Sequence, residues 1–496
     1  MAPIMVQGTM SSAGKSFLAA ALCRIFKQDG YKTAPFKSQN MALNSFITKD
    51  GLEMGRAQVM QAEAAEIDCD VRMNPILLKP TTEMGSQVIV MGKPVADMRA
   101  ADYFKFKHKL VPDIMTAYNS LKNDFDIIVI EGAGSPAEIN LKENDIVNMG
   151  LAKLTDSPVL LAADIDRGGV FAQIYGTVML LEEEERKRIK GIIINKFRGD
   201  KKILDPGIKM IEEKCGIPVV GVIPYMNVDV DDEDSLSDRL ENKETKGLID
   251  IAVIRLPKIS NFTDFNSLET IDGFSVRYVS RKGELKEPDM VIVPGSKSTI
   301  ADLKWLRQSG IEGEIKRLAH KGTLIWGICG GYQMLGQKIS DPLKTETGGE
   351  IEGMELLKGK TVFAEEKTRT RIEGKILADG EFSALNGVYI EGYEIHMGET
   401  KTDGEAFSII SDGKNEKTDG EYLKNVCGSY VHGMFDSDDM RAMLKKMLYE
   451  RKGISAEEKA EIGFKEYKIM QYNIMAENVR KNMDMEKIYN IMGIKR

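Results

Sequence analysis

The stretch Gln7-Gly8-Thr9-Met10-Ser11-Ser12-Ala13-Gly14-Lys15-Ser16 decides the fold of the first part of the chain. It joins a strand-like apolar run to a helical run at Phe17–Phe26. A glycine-rich turn in this context, closed by lysine and serine, lets backbone N–H groups and the helix N-terminus surround phosphate oxygens. The lysine supplies a charge, and the serine hydroxyl binds Mg²⁺. The pattern therefore predicts a nucleotide site formed by Gly8, Thr9, Ser12, Ala13, Gly14, Lys15 and Ser16.

Short apolar runs then alternate with helical patterns, which indicates parallel strands covered by helices on both faces. The first series of runs is Ile4–Gln7, Tyr31–Phe36, Ile127–Glu131, Val159–Ala163, Gly191–Asn195 and Val219–Ile223. The second series is Ile249–Leu256, Met290–Pro294, Thr323–Cys329 and Val426–His432. The sequence thus predicts an α/β fold class with two doubly wound domains, at residues 1–227 and 248–450. Residues 228–247 are predicted as an acidic linker, and 451–496 as a helical extension packed on the second domain.

A carboxylate for the cation is predicted at the end of a strand near the phosphate site. Glu131 ends an apolar strand at the edge where ligands bind in open parallel sheets. A Mg²⁺–nucleotide site uses one or two carboxylates together with the phosphates. We expect Ser16, Glu131 and Asp145 to hold the metal, Asp145 because it follows the Glu131 loop and precedes a helix. Asp50 and Asp164 stay open as alternatives.

Two further polar positions follow strands of the first domain. Lys37, in the stretch 35–41 (PFKSQNM), is expected to bridge a γ-phosphate and a carboxylate substrate and to neutralise charge during phosphoryl transfer. Asn195 is expected to contact the nucleotide base. A guanine reader of the Asn-Lys-x-Asp type would need aspartate at position 198, where the chain has Arg198. ATP is therefore favoured over GTP.

A second site is predicted at Cys329, in the stretch 323–336 (TLIWGICGGYQMLG). An apolar strand, a sharp turn flanked by glycines and the start of a helix form a nucleophile elbow, which projects its central side chain. The helix N-terminus favours the thiolate form of that side chain. Cys329 is therefore predicted to be a nucleophile.

A nucleophilic thiol needs a base, which need not be close in sequence. His432, at the end of a late predicted strand, is the preferred base, and His396 is the alternative. The oxyanion formed by attack on a carbonyl carbon needs two backbone donors. Gly330 supplies one by its position, and Gly295, in the stretch 294–298 (PGSKS), is expected to supply the other. That stretch lacks the full phosphate-loop spacing, so a second phosphate site is not expected there.

The composition excludes several classes of protein. The 496 residues are 42% hydrophobic and 29% charged, as in globular rather than disordered proteins. The 68 Lys and Arg against 76 Asp and Glu give a net charge of −8, which argues against nucleic-acid or membrane-surface binding. The 5 cysteines lack CxxC spacing, which suits reduced thiols. We expect a cytoplasmic protein with no nucleic-acid or membrane partner; the sequence leaves a homo-oligomer open.

The motifs resemble those of known families. The first loop has its leading glycine at Gly8 rather than position 9, a spacing that resembles the dethiobiotin synthetase-like and MinD-like branch of P-loop NTPases. The elbow, with the later stretch 431–435 (VHGMF), resembles the class I glutamine amidotransferase domain. In most of that class a glutamate follows the histidine by two positions and orients it, whereas this chain has Met434 there. The resemblance implies a Cys–His dyad unless another acid substitutes.

Eight stretches occur in an order that resembles the cobyric acid synthase family: QGTMSSAGKS, PFKSQNMALNS, EGAGSPAEINL, DIDRGGVFA, NKFRGD, VPGSKST, WGICGGYQMLG and GYEIHMG. The resemblance implies amidation of the b, d, e and g carboxylates of a corrinoid small molecule, adenosylcobyrinic acid a,c-diamide. ATP would be the co-substrate, with Mg²⁺, and glutamine the ammonia donor.

Two alternatives are weighed against this family. The sister family, cobyrinic acid a,c-diamide synthase, typically carries a KxGPDYIDP-like segment where this chain reads KSQNMALN at 37–44. A MinD-like switch ATPase with an inactive amidotransferase domain is the alternative from another class. The intact Cys329 and His432 argue against the switch.

Overall fold

The computed structural model describes residues 1–81, 85–231, 240, 247–455 and 462–495. The chain forms two compact units. The first contains Met1–Met41, Met54–Asp231 and Lys468–Arg496, and the second contains Ala42–Glu53 and Asp232–Tyr467. This division differs from the predicted domains at two places. Residues 42–53 join the second unit, and the C-terminal residues from Lys468 onward join the first.

In chain order the strands are β1 (Ala2–Gly8), β2 (Thr33–Phe36), β3 (Gln39–Met41), β4 (Ser45–Ile47), β5 (Glu53–Gly55), β6 (Ile76–Pro80), β7 (Gly85–Val90), β8 (Lys93–Arg99), β9 (Ile127–Glu131), β10 (Val159–Asp164), β11 (Ile189–Phe197), β12 (Val219–Pro224), β13 (Ile249–Ile254), β14 (Phe274–Val279), β15 (Met290–Val293), β16 (Leu324–Ile328), β17 (Lys338–Asp341), β18 (Gly349–Glu352), β19 (Lys360–Ile376), β20 (Tyr389–Lys401), β21 (Ser408–Ser411), β22 (Glu416–Asp419), β23 (Glu421–Leu423) and β24 (Val426–Ser429). The α-helices are α1 (Lys15–Gln28), α2 (Arg56–Ala64), α3 (Ala100–Phe106), α4 (Val111–Asp124), α5 (Met149–Leu154), α6 (Val170–Leu180), α7 (Glu183–Arg186), α8 (Lys201–Cys215), α9 (Asn266–Glu269), α10 (Lys282–Leu285), α11 (Thr299–Gln308), α12 (Ile311–Lys321), α13 (Gly330–Leu335), α14 (Asp438–Arg451), α15 (Phe464–Asn482) and α16 (Met485–Ile491).

The first unit is built around six parallel strands in the order β12-β11-β10-β1-β9-β2. Nearly uninterrupted apolar residues form these strands because both faces of the sheet are covered, and Ile127, Ile128, Val129 and Ile130 have no exposed surface. The predicted doubly wound sheet is confirmed. Since all six strands run the same way, their carboxyl ends meet at one edge, where the loops that follow them carry the predicted site residues.

A smaller sheet with the order β3-β6-β7-β8 was not predicted. Its outer strand β8 has the polar sequence KPVADMR, and each of these residues is exposed or only partly buried. Such a strand lacks the apolar run by which the central strands are recognised.

The C-terminal helices correct one prediction. The helices α15 and α16 are present as expected, but from Lys468 onward they belong to the first unit and not to the second. Tyr472, Met475, Ala476 and Val479 share an apolar core with Leu18 and Phe26 of α1 and with β1. Helical periodicity identifies a buried face of a helix but not the surface that it covers.

The second unit has its own parallel sheet, with the order β14-β13-β15-β16-β24 and the antiparallel strand β23 at its end. All four predicted strands of the second series are present. The unit also contains an antiparallel sheet with the order β18-β17-β19-β21-β22, to which β20 is attached through β19. Long strands with mixed polarity such as β19 did not give a recognisable apolar run.

Most of the predicted acidic linker, 228–247, lies outside the described residues. Among the part that is described, Asp231 is buried and pairs with Arg56 at 2.7 Å, so the chain remains in the first unit up to that point. No helix among the described residues combines the length and the apolar character needed to cross a membrane.

Candidate functional site

The phosphate-binding loop has the backbone that its sequence predicts. Gly14 lies at φ 89°, in the left-handed region, and α1 begins directly after it. A Cβ atom at this position would lie 2.1 Å from Asn195 Nδ2. Asn195 Nδ2 itself donates to the Ala13 carbonyl oxygen at 2.9 Å. Asn195 thus supports the loop from the end of β11, while its contact with a nucleotide base stays a prediction.

The lysine and serine that close the loop contact the end of β9 and the residues after it. Lys15 Nζ donates to the carbonyl oxygens of Met10 and Gly134, both at 3.0 Å. Ser16 Oγ donates to Glu131 Oε1 at 2.8 Å. The structure therefore brings together the hydroxyl and the carboxylate that the sequence predicts for the cation.

Glu131 is buried and accepts hydrogen bonds from further side chains. Lys37 Nζ lies 2.8 Å from Oε1, and the two side chains are 6% and 0% exposed. Gln61 Nε2 donates to Oε2 at 2.6 Å, and Gln58 Nε2 contacts the same oxygen at 3.4 Å. The glutamines come from α2 and were missed at the sequence level, because neutral side chains inside a helix resemble ordinary surface residues.

The Ser16 and Glu131 pair fits a magnesium–nucleotide site. Both side chains offer oxygen atoms, which Mg²⁺ prefers. Among the described residues, no group of three or more His, Cys, Asp or Glu side chains could hold a metal ion by itself. A site of this kind does not require one, because bound phosphates and water supply the other ligands.

The other predicted carboxylates have different surroundings. Asp145 accepts the backbone N–H groups of Val147, Asn148 and Gly150, each at 2.8 Å, and so closes the turn before α5. Its role as a metal ligand stays a prediction. Asp164 pairs with Lys196 Nζ at 2.9 Å, and the same ammonium donates to the Ser12 carbonyl oxygen at 2.8 Å. Asp50 lies in the segment 42–53, which is part of the second unit.

Cys329 lies on a strained turn between β16 and α13. Its φ of 51° and ψ of −107° fall in a region that non-glycine residues rarely adopt. The glycine after Gly330 is required by packing, since a Cβ atom at Gly331 would lie 1.8 Å from the Val293 carbonyl oxygen. The turn thus has the backbone of a nucleophile elbow, and Cys329 is only 8% exposed.

His432 is held against the thiol by an acid that the sequence did not indicate. His432 Nδ1 lies 2.7 Å from Asp264 Oδ2, and the Gly433 N–H donates to Asp264 Oδ1 at 3.1 Å. A side-chain hydrogen bond also links His432 to Cys329. Burial would lower the pKa of His432, but the charge and hydrogen bond of Asp264, with a smaller contribution from Cys329, raise it to about 10.

Asp264 therefore occupies the position of the acid in a Cys–His–Asp triad. Met434, which stands where most class I domains have a glutamate, is buried and apolar. The sequence carried only a weak signal that Asp264 would meet His432. Asp264 follows β13 and His432 follows β24, and parallel strands of one sheet present their carboxyl ends at the same edge.

His396 has other partners. Its Nδ1 lies 2.8 Å from the Gly398 carbonyl oxygen, and its Nε2 lies 3.4 Å from Glu394 Oε1. Its ring stacks on Tyr430 with the centroids 3.8 Å apart. The geometry thus favours His432 over His396 as the base.

The predicted oxyanion donors lie beside the thiol and the imidazole. Gly330 is the first residue of α13, and a Cβ atom there would lie 2.9 Å from the Ser296 backbone nitrogen. A Cβ atom at Gly295 would lie 3.2 Å from His432 Cε1. The 294–298 loop therefore runs along the elbow, and the oxyanion role of Gly295 and Gly330 stays a prediction.

The chain matches two known domain families, one in each of the regions that contain the two sites. Residues 250–440 match the family described as the CobB/CobQ-like glutamine amidotransferase domain. Residues 4–236 match the CobQ/CobB/MinD/ParA nucleotide binding domain. The fold and these matches define the class, a glutamine amidotransferase joined to a P-loop nucleotide-binding domain.

Relatives that match almost the whole chain identify the family within this class. A protein of Ruminiclostridium cellulolyticum named cobyric acid synthase is 59% identical, over 99% of this chain and 97% of its own length. Proteins with the same name from Lachnoclostridium phytofermentans and Alkaliphilus metalliredigens are 57% and 52% identical, each over at least 98% of both chains. The chain belongs to the cobyric acid synthase family.

Proposed function

We propose that the protein uses ATP and glutamine to amidate the b, d, e and g carboxylates of adenosylcobyrinic acid a,c-diamide, giving adenosylcobyric acid. The observation that carries the proposal is the presence, in one chain, of two groups of side chains that suit the two halves of this reaction. One is the Cys329–His432–Asp264 triad, and the other is the Ser16, Lys37 and Glu131 cluster beside the phosphate loop. The shared family supports the corrinoid substrate.

Ammonia is released at the triad. The Cys329 thiolate attacks the side-chain carbonyl carbon of glutamine, and backbone N–H groups at Gly330 and Gly295 stabilise the negative charge on the oxygen. His432 donates its proton to the departing ammonia, which leaves a thioester on Cys329. Water, deprotonated by His432, hydrolyses the thioester to glutamate. Asp264 holds the imidazole in the orientation that this exchange requires.

The carboxylate is activated at the phosphate loop. Loop N–H groups and Lys15 bind the ATP phosphates, and Ser16 and Glu131 would hold the Mg²⁺. The metal supplies neutralisation of phosphate charge when bound. The substrate carboxylate oxygen attacks the γ-phosphorus, which forms an acyl phosphate and releases ADP, and Lys37 neutralises charge between the two reactants. Ammonia then displaces phosphate and leaves the amide.

Several finer assignments belong to the same proposal. Asp145 is retained as a candidate second carboxylate and Asn195 as a base contact, while Asp164 gains support from its link to Ser12 through Lys196. The cytoplasmic location and the absence of a nucleic-acid partner stay predictions, and the oligomeric state is open.

The experiment that tests the proposal replaces the nucleophile. Cys329→Ala should abolish amidation driven by glutamine and retain amidation driven by ammonium salts, because ammonia bypasses the triad. Cys427→Ala is the matched control, since Cys427 is also buried and lies on the neighbouring strand β24. A switch ATPase would show no amidation with either donor, and that result would refute the proposal.

A further inference from the structure

Asp302 is a buried acid in the first turn of α11 that neither the triad nor the phosphate loop uses. It is 2% exposed, and it follows the 294–298 loop, which runs along the elbow. Burial raises the pKa of Asp302 to about 6, while the hydrogen bonds that the carboxylate accepts act in the opposite direction. The carboxylate is therefore largely ionised at neutral pH and acts as a hydrogen-bond acceptor.

The Asp302 carboxylate holds the 294–298 loop through a serine hydroxyl. Asp302 Oδ2 accepts from Ser296 Oγ at 2.7 Å and from the Lys258 N–H at 3.1 Å. Ser296 Oγ in turn accepts from the Ser298 N–H at 2.9 Å. Since an ionised carboxylate only accepts, the hydroxyl hydrogen of Ser296 points to Asp302. The hydroxyl thus fixes the loop and is not a donor to a substrate.

The backbone N–H groups that follow Pro294 fall into two sets. Three of them have acceptors in the chain: the Lys297 N–H donates to the Lys258 carbonyl oxygen, the Ser298 N–H to Ser296 Oγ and the Thr299 N–H to Glu346 Oε2. Buried backbone N–H groups are nearly always paired, with the chain, with water or with a ligand. In this described stretch, the N–H groups of Gly295 and Ser296 are the two that remain for a ligand.

The N–H group of Ser296 faces the elbow. Ser296 forms a single antiparallel bridge with Ile259, in which the neighbouring residues make the hydrogen bonds, as the Ser260 N–H does to the Gly295 carbonyl oxygen at 3.0 Å. In such a pair the N–H groups of the two facing residues point away from each other. On the outer side of Ser296 lies Gly330, where a Cβ atom would come within 2.9 Å of the Ser296 nitrogen. The Ser296 N–H therefore lies beside the predicted donor at Gly330.

A second acid holds the far end of the loop. Glu346 Oε2 accepts from the Thr299 N–H at 2.7 Å and so occupies the N-terminus of α11. Glu346 is itself held in the turn after β17, where Asp341 accepts the N–H groups of Thr345, Glu346 and Gly348. Because a carboxylate already fills the start of α11, the donors that face the elbow are those of the loop and not those of the helix.

We propose that Asp302 is a positioning residue for the oxyanion and acts through the Ser296 hydroxyl. The proposal rests on the proposed function, in which Cys329 attacks the carbonyl carbon of glutamine. By holding Ser296, Asp302 fixes the loop with its N–H groups on the side of the elbow where the negative oxygen forms. The Ser296 N–H is then a donor to this oxygen in addition to the donors predicted at Gly295 and Gly330.

This role affects the transition state more than the bound substrate. Donors that are fixed in advance stabilise the developing negative charge without being reoriented during the reaction. The carbonyl oxygen of bound glutamine is still neutral, so a loosened loop should lower kcat far more than it raises the KM for glutamine. A substitution that only weakens the fold would instead reduce the amount of folded protein and leave both constants of the folded fraction unchanged.

The first test measures glutamate release by Ser296→Ala and Asp302→Asn. Ser296→Ala removes the hydrogen bond to the carboxylate, and Asp302→Asn removes the charge that strengthens it. We expect kcat to fall by roughly 10²-fold in each variant, with the KM for glutamine within about threefold of wild type. Asp250→Asn is the matched control, because Asp250 pairs with Arg277 at the amino end of β13, away from the edge that carries the triad. Its folded fraction should keep the wild-type kcat.

The second test measures binding without turnover, with glutamate γ-semialdehyde as the probe. The Cys329 thiol adds across the aldehyde, which gives a tetrahedral adduct whose oxygen lies where the oxyanion forms. Ser296→Ala and Asp302→Asn should weaken inhibition by the aldehyde roughly as much as they lower kcat. The affinity for glutamate, which carries no tetrahedral carbon at this position, should stay within about threefold of wild type.

The double variant Ser296→Ala/Asp302→Asn distinguishes one shared path from two separate effects. If Asp302 acts through Ser296, the double variant should lose no more of its kcat than the more severe single variant. Losses that multiply, a raised KM with an unchanged kcat, or unaltered binding of the aldehyde would each overturn the proposal.

Amidation of the corrinoid with ammonium salts separates this failure from that of the proposed function. If the wild type amidates with ammonium and the variants bind the aldehyde as tightly as the wild type does, only the role of Asp302 is wrong. If no amidation occurs with ammonium, the proposed function fails, and the binding constants of the aldehyde still decide the role of Asp302. A wild type that does not bind the aldehyde would overturn that role as well.

Discussion

A buried imidazole without a partner favours its neutral form, because burial disfavours charge. Asp264 reverses this preference for His432, whose pKa is raised to about 10 despite complete burial. The imidazolium is therefore the prevailing form at neutral pH. In the proposed mechanism it is the form that gives a proton to departing ammonia.

Replacing Asp264 by asparagine should remove this support. We expect Asp264→Asn to lower glutamine-driven amidation by on the order of 10³-fold, because the ring loses its orientation and its preference for the charged form. Ammonia-driven amidation, measured in the same preparation, should stay within about twofold of wild type. Asp439→Asn, at an exposed position in α14, is the control. Equal losses with both ammonia sources would contradict the triad assignment.

The ion pair between His432 and Asp264 predicts that the stability of the folded chain depends on pH. The pKa of His432 is raised from 6.5 to about 10 in the folded chain, so its contribution to stability is fully present below pH 6.5. That contribution is lost as the pH rises through about 10. The difference in thermal midpoint between wild type and Asp264→Asn should therefore shrink between pH 6.5 and 10. Calorimetry that found a constant or growing difference would contradict this charge assignment.

At the scale of elements, the elbow between β16 and α13 depends on glycines for close packing. The sequence was sufficient to predict this turn, because a strand, a glycine-flanked cysteine and a helix follow one another directly. The same holds for the phosphate loop between β1 and α1. Local motifs of this kind carry their geometry in consecutive residues, and the structure reproduces both.

Gly331→Ala should disrupt the elbow. The new Cβ would meet the Val293 carbonyl oxygen, so β15 and the turn must separate. We expect the variant to be destabilised by about 1–3 kcal/mol and to lose glutamine hydrolysis. Gly283→Ala in α10, where a Cβ meets nothing within 4 Å, should change neither property. Urea denaturation and glutamate release measure the two effects, and normal hydrolysis by Gly331→Ala would contradict the account.

At the scale of the whole molecule, long-range pairings limited what the sequence could predict. Asp264 and His432 are 168 positions apart, and no motif spacing relates them. The segment 42–53 contains no linker-like composition that would place it in the second unit. The helix α15 showed a buried face, but nothing in its pattern assigned that face to the core around α1. These features depend on tertiary packing, which local periodicity does not encode.

We propose that the Cys329 centre releases ammonia, that the phosphate-loop centre activates a carboxylate, and that the two act in one reaction. Mass spectrometry of adenosylcobyrinic acid a,c-diamide, incubated with the protein, Mg-ATP and glutamine labelled in its amide nitrogen, tests this claim most directly. We predict four successive carboxylate-to-amide conversions, with the label in every new amide. Hydrolysis of ATP and glutamine with no change in the mass of the corrinoid would contradict the account.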